Sequence, residues 1–323
     1  MFELIKTKQT ISFMKYAKPA TWLSMLLIVI SIGSLSTKWL NWGLDFTGGT
    51  LIEVGFEKPA NLEDLRTVLA EADFQDAVVQ HFGTSHDVMV RLAPREGVKG
   101  EVIGNQVLNA LSTAHAGEVN MRRIEFVGPN VGDELAEDGG IAIIIALVCI
   151  MLYVSMRFEW RLAMGSVLAL AHDIIITLGV FSLFQIEFDL TVLAALLAVV
   201  GYSLNDTIVV FDRIRENFRG IATATPEEIV NQSLTQTLSR TIITSSTTIF
   251  VLIALFVVGG ALIHGFATAL LIGVGVGTYS SIYVASALAI KLGISRDHMI
   301  PEVVEKEGAD QDALMESLRS PLP

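Results

Sequence analysis

Six apolar runs long enough to cross a membrane constrain the fold of this chain more than any other feature. A helix that crosses a bilayer needs about 20 mostly apolar residues. Hydrophobic residues make up 52% of the 323 positions, which is more apolar surface than a soluble domain of this size can bury. We therefore predict six transmembrane helices, over residues 20–39, 139–156, 162–184, 190–211, 241–258 and 264–292.

Basic residues lie on one side of this series of spans. The first 38 residues carry five Lys and one Glu, whereas residues 39–138 carry 17 Asp or Glu and seven Lys or Arg. Cytoplasmic loops are enriched in Lys and Arg, so residues 1–19 and the tail after residue 292 are predicted to be cytoplasmic and residues 40–138 to lie outside. The later basic residues that fit this orientation are Arg157, Arg161, Arg213, Arg215 and Arg219.

The region between the first two spans reads as a small α+β domain. Alternating apolar residues predict strands over residues 51–56, 77–82, 87–92 and 119–127, and helical spacing predicts helices over residues 61–72 and 101–114. Residues 83–86 carry a hairpin signal. The order βαββαβ is the ferredoxin-like pattern. The acidic tail, residues 293–323, is predicted to be disordered.

Ionisable residues inside the predicted spans are the strongest functional candidates. Each costs roughly 2.5–3.5 kcal/mol at a helix centre. Helical spacing places Tyr202 and Ser203 on the face of Asp206, and both this face and the polar stripe after Arg240 are predicted to point into the bundle. Asp206 and Arg240 are predicted to form a pair that protonation of Asp206 would release, with a purely structural ion pair as the alternative. The remaining members of this polar set are His172, Asp173, Asn205, Thr244, Thr247 and Thr248.

Several function classes are not expected. A net charge of −12 argues against nucleic-acid binding, which requires a basic face. No P-loop, HExxH or GxSxG motif occurs, so we expect neither an enzyme nor a bound cofactor or metal. Asp173 and Asp206 on adjacent spans admit an aspartic-protease dyad, although they lack the sequence contexts of such proteases.

Four motifs resemble the SecF family, membrane subunits of the bacterial Sec protein-translocation machinery. They are GLDFTGG (residues 43–49), AHD (171–173), GYSLNDTIVVFDRIRE (201–216) and LSRTIITS (238–245). The first of them follows the first span, and its two adjacent glycines permit unusual backbone angles. Asp45 is predicted to cap or bind there, and a simple linker turn is the alternative. The motif positions singled out are Gly43, Asp45, Phe46, Gly48 and Gly49.

This resemblance implies an architecture and a function. It implies half of a twelve-span assembly of the RND transporter type, completed by a SecD-like subunit in the bacterial inner membrane, with residues 40–138 periplasmic. It implies that Asp206 and Arg240 conduct protons, so that the proton-motive force promotes late translocation and release of secreted polypeptides. It also implies the SecYEG channel and YajC as partners. Two alternatives stay open: a half-transporter that exports a small apolar molecule, and a passive scaffold whose charges only hold helices together.

Overall fold

The structure, a computed structural model, describes residues 10–95, 100–114, 119–221, 223–296 and 299. A short 3₁₀ turn, Phe13–Tyr16, precedes the first membrane-length helix, α1 (Ala17–Thr37). The chain then forms β1 (Asn41–Trp42), α2 (Leu44–Thr47), β2 (Gly49–Phe56), α3 (Leu62–Glu71), β3 (Val78–Phe82), β4 (Thr84–Leu92), α4 (Gly100–Ala114) and β5 (Val119–Val127). We refer to residues 49–127 as the α+β domain.

The α+β domain is a four-stranded sheet with two helices. The strands lie in the order β3–β4–β2–β5 and every neighbouring pair is antiparallel, so the predicted βαββαβ order is confirmed. The hairpin differs from the prediction because β4 already begins at Thr84, and only Gly83, with φ +76°, turns the chain. Helices and strands share one hydrophobic core, which includes Ile52, Val54, Leu65, Leu69, Val88, Val90, Ile103, Val107 and Leu111.

The second half of the chain is almost entirely helical. Its elements are α5 (Pro129–Arg157), α6 (Trp160–Phe184), β6 (Glu187–Phe188), α7 (Leu190–Gly220), α8 (Pro226–Val258), α9 (Ala261–Tyr279) and α10 (Ser286–Lys291). A π-helical turn, Ser280–Ala285, joins α9 to α10 without a break. Among the described residues, six helices are long and apolar enough to cross a membrane. The predicted helical membrane protein with a small α+β domain is thereby confirmed.

Helix boundaries differ most from the sequence-based bounds on the basic side. The region 212–240, interpreted as a long loop, is mostly helix: α7 continues to Gly220 and α8 begins at Pro226. A capping box explains that start, since Thr225 and Glu228 exchange hydrogen bonds at the N-terminus of α8. The second span likewise begins at Pro129, ten residues before the apolar run itself. Of the predicted disordered tail, residues 293–296 and 299 are described, and the rest lies outside the described residues.

The six helices are not equally buried. α6 and α7 lie at the centre, and their apolar residues pack with α10 and with the turn before α1 in one core. α1, α5 and α8 instead turn large apolar side chains outward. Outward apolar surface of this kind suits contact with lipid or with another membrane subunit. Examples are Trp22, Val29, Ile144, Phe250 and Val257.

Candidate functional site

Asp206 lies inside α7, with only 6% of its surface exposed. Two hydroxyl groups from neighbouring helices donate hydrogen bonds to its carboxylate. Thr241 Oγ1 on α8 lies 3.0 Å from Oδ1, and Ser281 Oγ in the π-helical turn lies 3.1 Å from Oδ2. Both donors are neutral, so among the described residues this buried acid is held by hydrogen bonds to hydroxyl groups and not by direct contact with a cation.

Arg240 does not form the predicted pair with Asp206. Within the described part of the chain, no Lys or Arg nitrogen lies within 4.0 Å of the Asp206 carboxylate, and Arg240 is exposed. The reason is helical geometry: successive side chains point about 100° apart, and Thr241 takes the inward position. Neither the predicted pair nor its alternative, a structural ion pair, is formed in this structure.

Asp173, on α6, is more completely enclosed than Asp206. It has no exposed surface. Its Oδ2 accepts hydrogen bonds from Ser203 Oγ on α7 at 2.6 Å and from Ser280 Oγ at 2.8 Å. Its Oδ1 lies 2.8 Å from Nδ1 of His172. Ser203 therefore donates its hydrogen bond to Asp173, although its helical spacing predicted that it would lie beside Asp206.

His172 completes this buried cluster. Its ring lies against that of Tyr279, with centroids 6.4 Å apart. Its other nitrogen, Nε2, is buried and has no hydrogen-bond partner among the described residues. A buried polar nitrogen without a partner costs about 1–3 kcal/mol. The His172–Asp173 pair is thus an energetically costly arrangement that the fold nevertheless holds in place.

The π-helical turn supplies a hydrogen-bond donor to each of the two acids. Its first two residues are consecutive serines, and Ser280 donates to Asp173 while Ser281 donates to Asp206. Each hydroxyl has one proton and also lies near a carbonyl of its own helix, Gly277 at 3.1 Å for Ser280 and Thr278 at 3.0 Å for Ser281, so it can turn between the two acceptors. π-helical turns inside α-helices occur frequently at functional sites. Close packing of α9 on α7 positions the turn, because a Cβ at Gly277 would lie 3.0 Å from the Cβ of Ser203.

The polar stripe on α8 faces away from this chain's own bundle. Thr244 and Thr247 are exposed and Thr248 is partly buried, and each hydroxyl donates to a carbonyl of its own helix. The prediction that this stripe points inward is wrong for the chain by itself. The inward polar positions are one residue along, at Thr241 and Ser245, the latter in contact with Thr278.

Two further predicted residues on α7 have different surroundings. Asn205 is exposed. The hydroxyl of Tyr202 is buried without a hydrogen-bond partner among the described residues. Neither therefore hydrogen-bonds Asp206, although both are close to it in sequence.

The glycine-rich motif links the end of α1 to the start of α7. The Asp45 Oδ2 accepts a hydrogen bond from the backbone N–H of Leu190 at 2.9 Å, and the N–H of Gly43 donates to the Phe188 carbonyl at 2.8 Å. Asp189 is the N-cap residue of α7 and accepts from the Val192 N–H, so Asp45 is a second carboxylate that helps to cap the helix carrying Asp206. Phe46 packs on the Trp42 and Phe188 rings.

The two glycines after Phe46 have backbone angles that other residues rarely adopt. Gly48 has φ +65° and Gly49 has φ +123°, and a Cβ at Gly49 would collide with the carbonyl oxygen of Leu92. Gly49 requires glycine because no side chain fits there, and the positive φ of Gly48 would strain most other residues. The motif therefore fixes where β2 starts relative to the first span.

An acidic residue beside this motif is electrostatically strained. Burial raises the pKa of Glu187 above its ordinary value of 4.5, and the neighbouring Asp189 and Asp45 act in the same direction. The guanidinium of Arg91, 3.7 Å away, partly offsets the rise in pKa. Within the described residues, no group of three or more His, Cys, Asp or Glu side chains is arranged to hold a metal ion.

Two family models match the sequence. The model of the SecD/SecF protein export membrane protein, C-terminal region, matches residues 106–295, which is more than half of the chain. The model of the SecD/SecF GG motif matches residues 33–60. Together they include the glycine-rich motif and all four of the candidate residues His172, Asp173, Asp206 and Arg240.

Similar whole proteins lead to the same family. The protein translocase subunit SecF of Vibrio alginolyticus is 67% identical over 97% of this chain and 100% of its own length. The SecF subunit of Escherichia coli O157:H7 is 53% identical over 95% of this chain and 96% of its own length.

Two solved structures share the fold. The crystal structure of SecDF from Thermus thermophilus, a translocon-associated membrane protein, matches with a TM-score of 0.81 and 38% identity over 89% of this chain. A SecDF structure in a super-membrane-facing form matches with a TM-score of 0.67 and 35% identity over 98%. The chain spans 39% and 41% of those longer chains. By sequence, motif and fold, the chain belongs to the SecF family of Sec protein translocase subunits.

Proposed function

We propose that this chain, together with a SecD-like subunit, uses the proton-motive force to promote late translocation and release of secreted polypeptides. Asp206 is the group that takes up and releases the proton. The single observation that carries the proposal is the environment of Asp206, a buried carboxylate in a membrane span held by two hydroxyls. Such a group is costly when ionised, and proton uptake removes its charge.

The absence of an ion pair matters for this role. A carboxylate locked to an arginine keeps its charge, whereas one held by hydroxyls alone exchanges a proton at much lower cost. Thr241 and Ser281 donate to the ionised acid, and each hydroxyl can also accept from the protonated one. Asp206 can therefore be accommodated in both states without large rearrangement of its neighbours.

Arg240 and the exposed polar side chains near it indicate how the partner sits. Arg240, Asn205, Thr244 and Thr247 are all exposed, and polar side chains within spans are rarely turned toward lipid. We propose that a SecD-like subunit covers this surface. In line with this, the chain corresponds to about two fifths of the longer SecDF chains that it resembles.

A mechanical connection between Asp206 and the α+β domain follows from the glycine-rich motif. Asp45 holds the first turn of α7, and Arg91 of β4 contacts Glu187 just before that turn. A change in α7 on proton binding is therefore passed to the domain by hydrogen bonds and by an ion pair. We propose that the domain moves against, or touches, the emerging polypeptide.

The surroundings follow from the same proposal. The chain acts in the bacterial inner membrane, with both termini cytoplasmic and residues 40–138 periplasmic, next to the SecYEG channel and YajC. It is a transport subunit rather than an enzyme, and its energy source is the proton gradient, without a cofactor. The basic residues at the ends of the spans and the acidic outer region support this orientation.

The test replaces Asp206→Asn and, separately, Arg240→Met, each co-expressed with the SecD-like subunit. Export of a reporter protein is then followed with and without a membrane potential, after confirming that the complex assembles. We expect Asp206→Asn to lower the potential-dependent part of export by about tenfold or more, because Asn cannot bind the proton. A matched control is Asp212→Asn on the same helix, where the carboxylate lies at the surface beside Arg157 and little change is expected.

The outcomes separate the proposal from its alternatives. Potential-dependent export that survives Asp206→Asn in an intact complex would overturn the proposal and favour a passive scaffold. A loss seen equally in Asp212→Asn would overturn the assignment of the proton to Asp206, because removal of a surface carboxylate from the same helix would then have the same effect. A loss confined to Asp206→Asn and Arg240→Met is the expected result.

A further inference from the structure

A second buried acid accepts a hydrogen bond from the same π-helical turn as Asp206 and has no part in the proposed function so far. Asp173 has no exposed surface and accepts hydrogen bonds from two serines as well as contacting His172. Within the described part of the chain, no Lys or Arg forms an ion pair with it. An uncompensated charge at such a position is very costly.

Other titratable groups near Asp173 come from several elements. His172 belongs to its own helix, Asp206 to α7, Tyr279 to α9 and Tyr283 to the π-helical turn. From α1 the buried polar groups are serine hydroxyls, such as Ser24 and Ser34. The set therefore contains two acids and one imidazole but no buried permanent cation among the described residues, so its charge depends on how many protons it holds.

His172 gives this set a place for an additional proton. Its Nδ1 faces Asp173 and its Nε2 is buried without a partner. A proton shared along the Nδ1–Oδ1 contact leaves the pair without net charge, which is the inexpensive state in a membrane interior. Removal of that proton leaves a charge of −1, which three donors then stabilise.

The π-helical turn gives the two acids a shared structural element. Ser280 and Ser281 are consecutive, and each donates to a different acid. Ser286 Oγ also donates to the carbonyl oxygen of Ser281, five residues before it. A carboxylate that gains a proton no longer needs the same donor, so its serine is free to turn, and a shift of one serine moves its neighbour.

We propose that Asp173, paired with His172, is a second proton-binding site of this membrane region, and that the Ser280–Ser281 turn couples its occupancy to that of Asp206. The proton binds at the carboxyl or imidazole, and no other bond is made or broken. Ser280 and Ser281 are positioning residues. This inference rests on the proposed function, since it adds a second site to the proton pathway that Asp206 defines.

The experiment uses the complete complex with the SecD-like subunit, reconstituted in lipid vesicles. Infrared difference spectra between acid and neutral pH record the carbonyl stretch of each carboxyl group that gains a proton. We expect one band to be lost in Asp206→Asn and a different band to be lost in Asp173→Asn. Export driven by the potential is expected to fall by about tenfold in Asp173→Asn, as for Asp206→Asn.

Coupling between the two acids is tested by replacing the serine that donates to one acid and following the band of the other acid. Of the two acids, Ser280→Ala deprives only Asp173 of a donor, yet we expect it to shift the Asp206 band, and Ser281→Ala to shift the Asp173 band. Each variant should also lower potential-dependent export by roughly threefold to tenfold, the effect of losing one hydrogen bond to an acid. Ser166→Ala is the matched control, because this buried hydroxyl on α6 donates only to the carbonyl of Leu162 and should change neither band.

Each failure has a separate meaning. Spectra in which Asp173→Asn removes no band would overturn the second site, even where the Asp206 band is present and the proposed function stands. Wild-type spectra that contain neither band would instead overturn the proposed function itself. Serine variants that shift only the band of the acid to which they donate would overturn the coupling. If Asp173→Asn does not assemble, a second band that Ser280→Ala shifts still tests whether Asp173 binds a proton.

Discussion

The α+β domain and the helical half of the chain differ in whether they complete their own burial. In the domain, strands and helices enclose one apolar core, and Asp87, its buried acid, pairs with Arg122 at 2.8 Å. The helical half encloses two acids but leaves Asn205, Arg240 and two threonines exposed on spanning helices. The domain is a closed folding unit, whereas the helical half leaves polar side chains of its spans uncovered by the described part of this chain.

The largest effect is expected when the α+β domain is expressed alone and compared with the full chain. Residues 49–127 alone should unfold in urea in one cooperative transition, because the core of the domain uses no residue from the spans. The full chain without a SecD-like subunit should be digested by protease in detergent at least about tenfold faster than the assembled pair, because binding of a partner stabilises the folded form. A full chain that resists protease equally well alone would show that the exposed stripe needs no partner.

Sequence patterns predicted the elements better than the contacts between them. The apolar runs gave the spans, and alternation with turn signals gave the βαββαβ domain, because both depend on local periodicity. The two long helices α7 and α8 extend beyond their apolar runs, since Arg213–Glu216 and Asn217–Ser233 contacts support polar helical turns outside the apolar region. Hydropathy alone does not detect such turns.

The site was only half predictable for the same reason. The cost of buried charge identified Asp173 and Asp206, but spacing on one helix does not tell which neighbouring helix supplies the donors. Thr241, Ser280 and Ser281 were therefore missed, and Ser203 was assigned to the wrong acid. A usable signal was present, since two consecutive serines interrupt an apolar run and Ser286 follows them.

A smaller effect is expected where the two regions meet. Asp45→Ala removes the acceptor of the Leu190 N–H at the start of α7 while the N-cap residue Asp189 stays in place, and loss of one side-chain acceptor at a helix N-terminus costs about 1 kcal/mol. Amide hydrogen exchange at Leu190 should become about fivefold faster, while exchange in the core of the α+β domain stays unchanged. The control is Asp64→Ala, an exposed acid in the first turn of α3. Unchanged exchange at Leu190 would mean that the junction does not depend on the Asp45 carboxylate.

The smallest effect concerns pH at the same junction. Burial raises the pKa of Glu187 above 4.5 despite Arg91, so the folded state binds this proton more tightly than the unfolded state does. The resulting stabilisation is complete below about pH 4.5 and is lost as pH rises through the raised pKa. Because Glu187 is 30% exposed, the effect should stay below about 1 kcal/mol.

The measurement is amide exchange at Gly43, whose N–H donates to the Phe188 carbonyl next to Glu187. After correction for the intrinsic rate, protection in the wild-type chain should fall between pH 4.5 and neutrality, and Glu187→Gln should remove this dependence because Gln does not titrate. Glu216→Gln, at the far end of α7 and 68% exposed, should leave the wild-type dependence intact. Protection that rises with pH in the wild-type chain would mean that the Arg91 ion pair outweighs burial, and the junction would then be tightest at neutral pH.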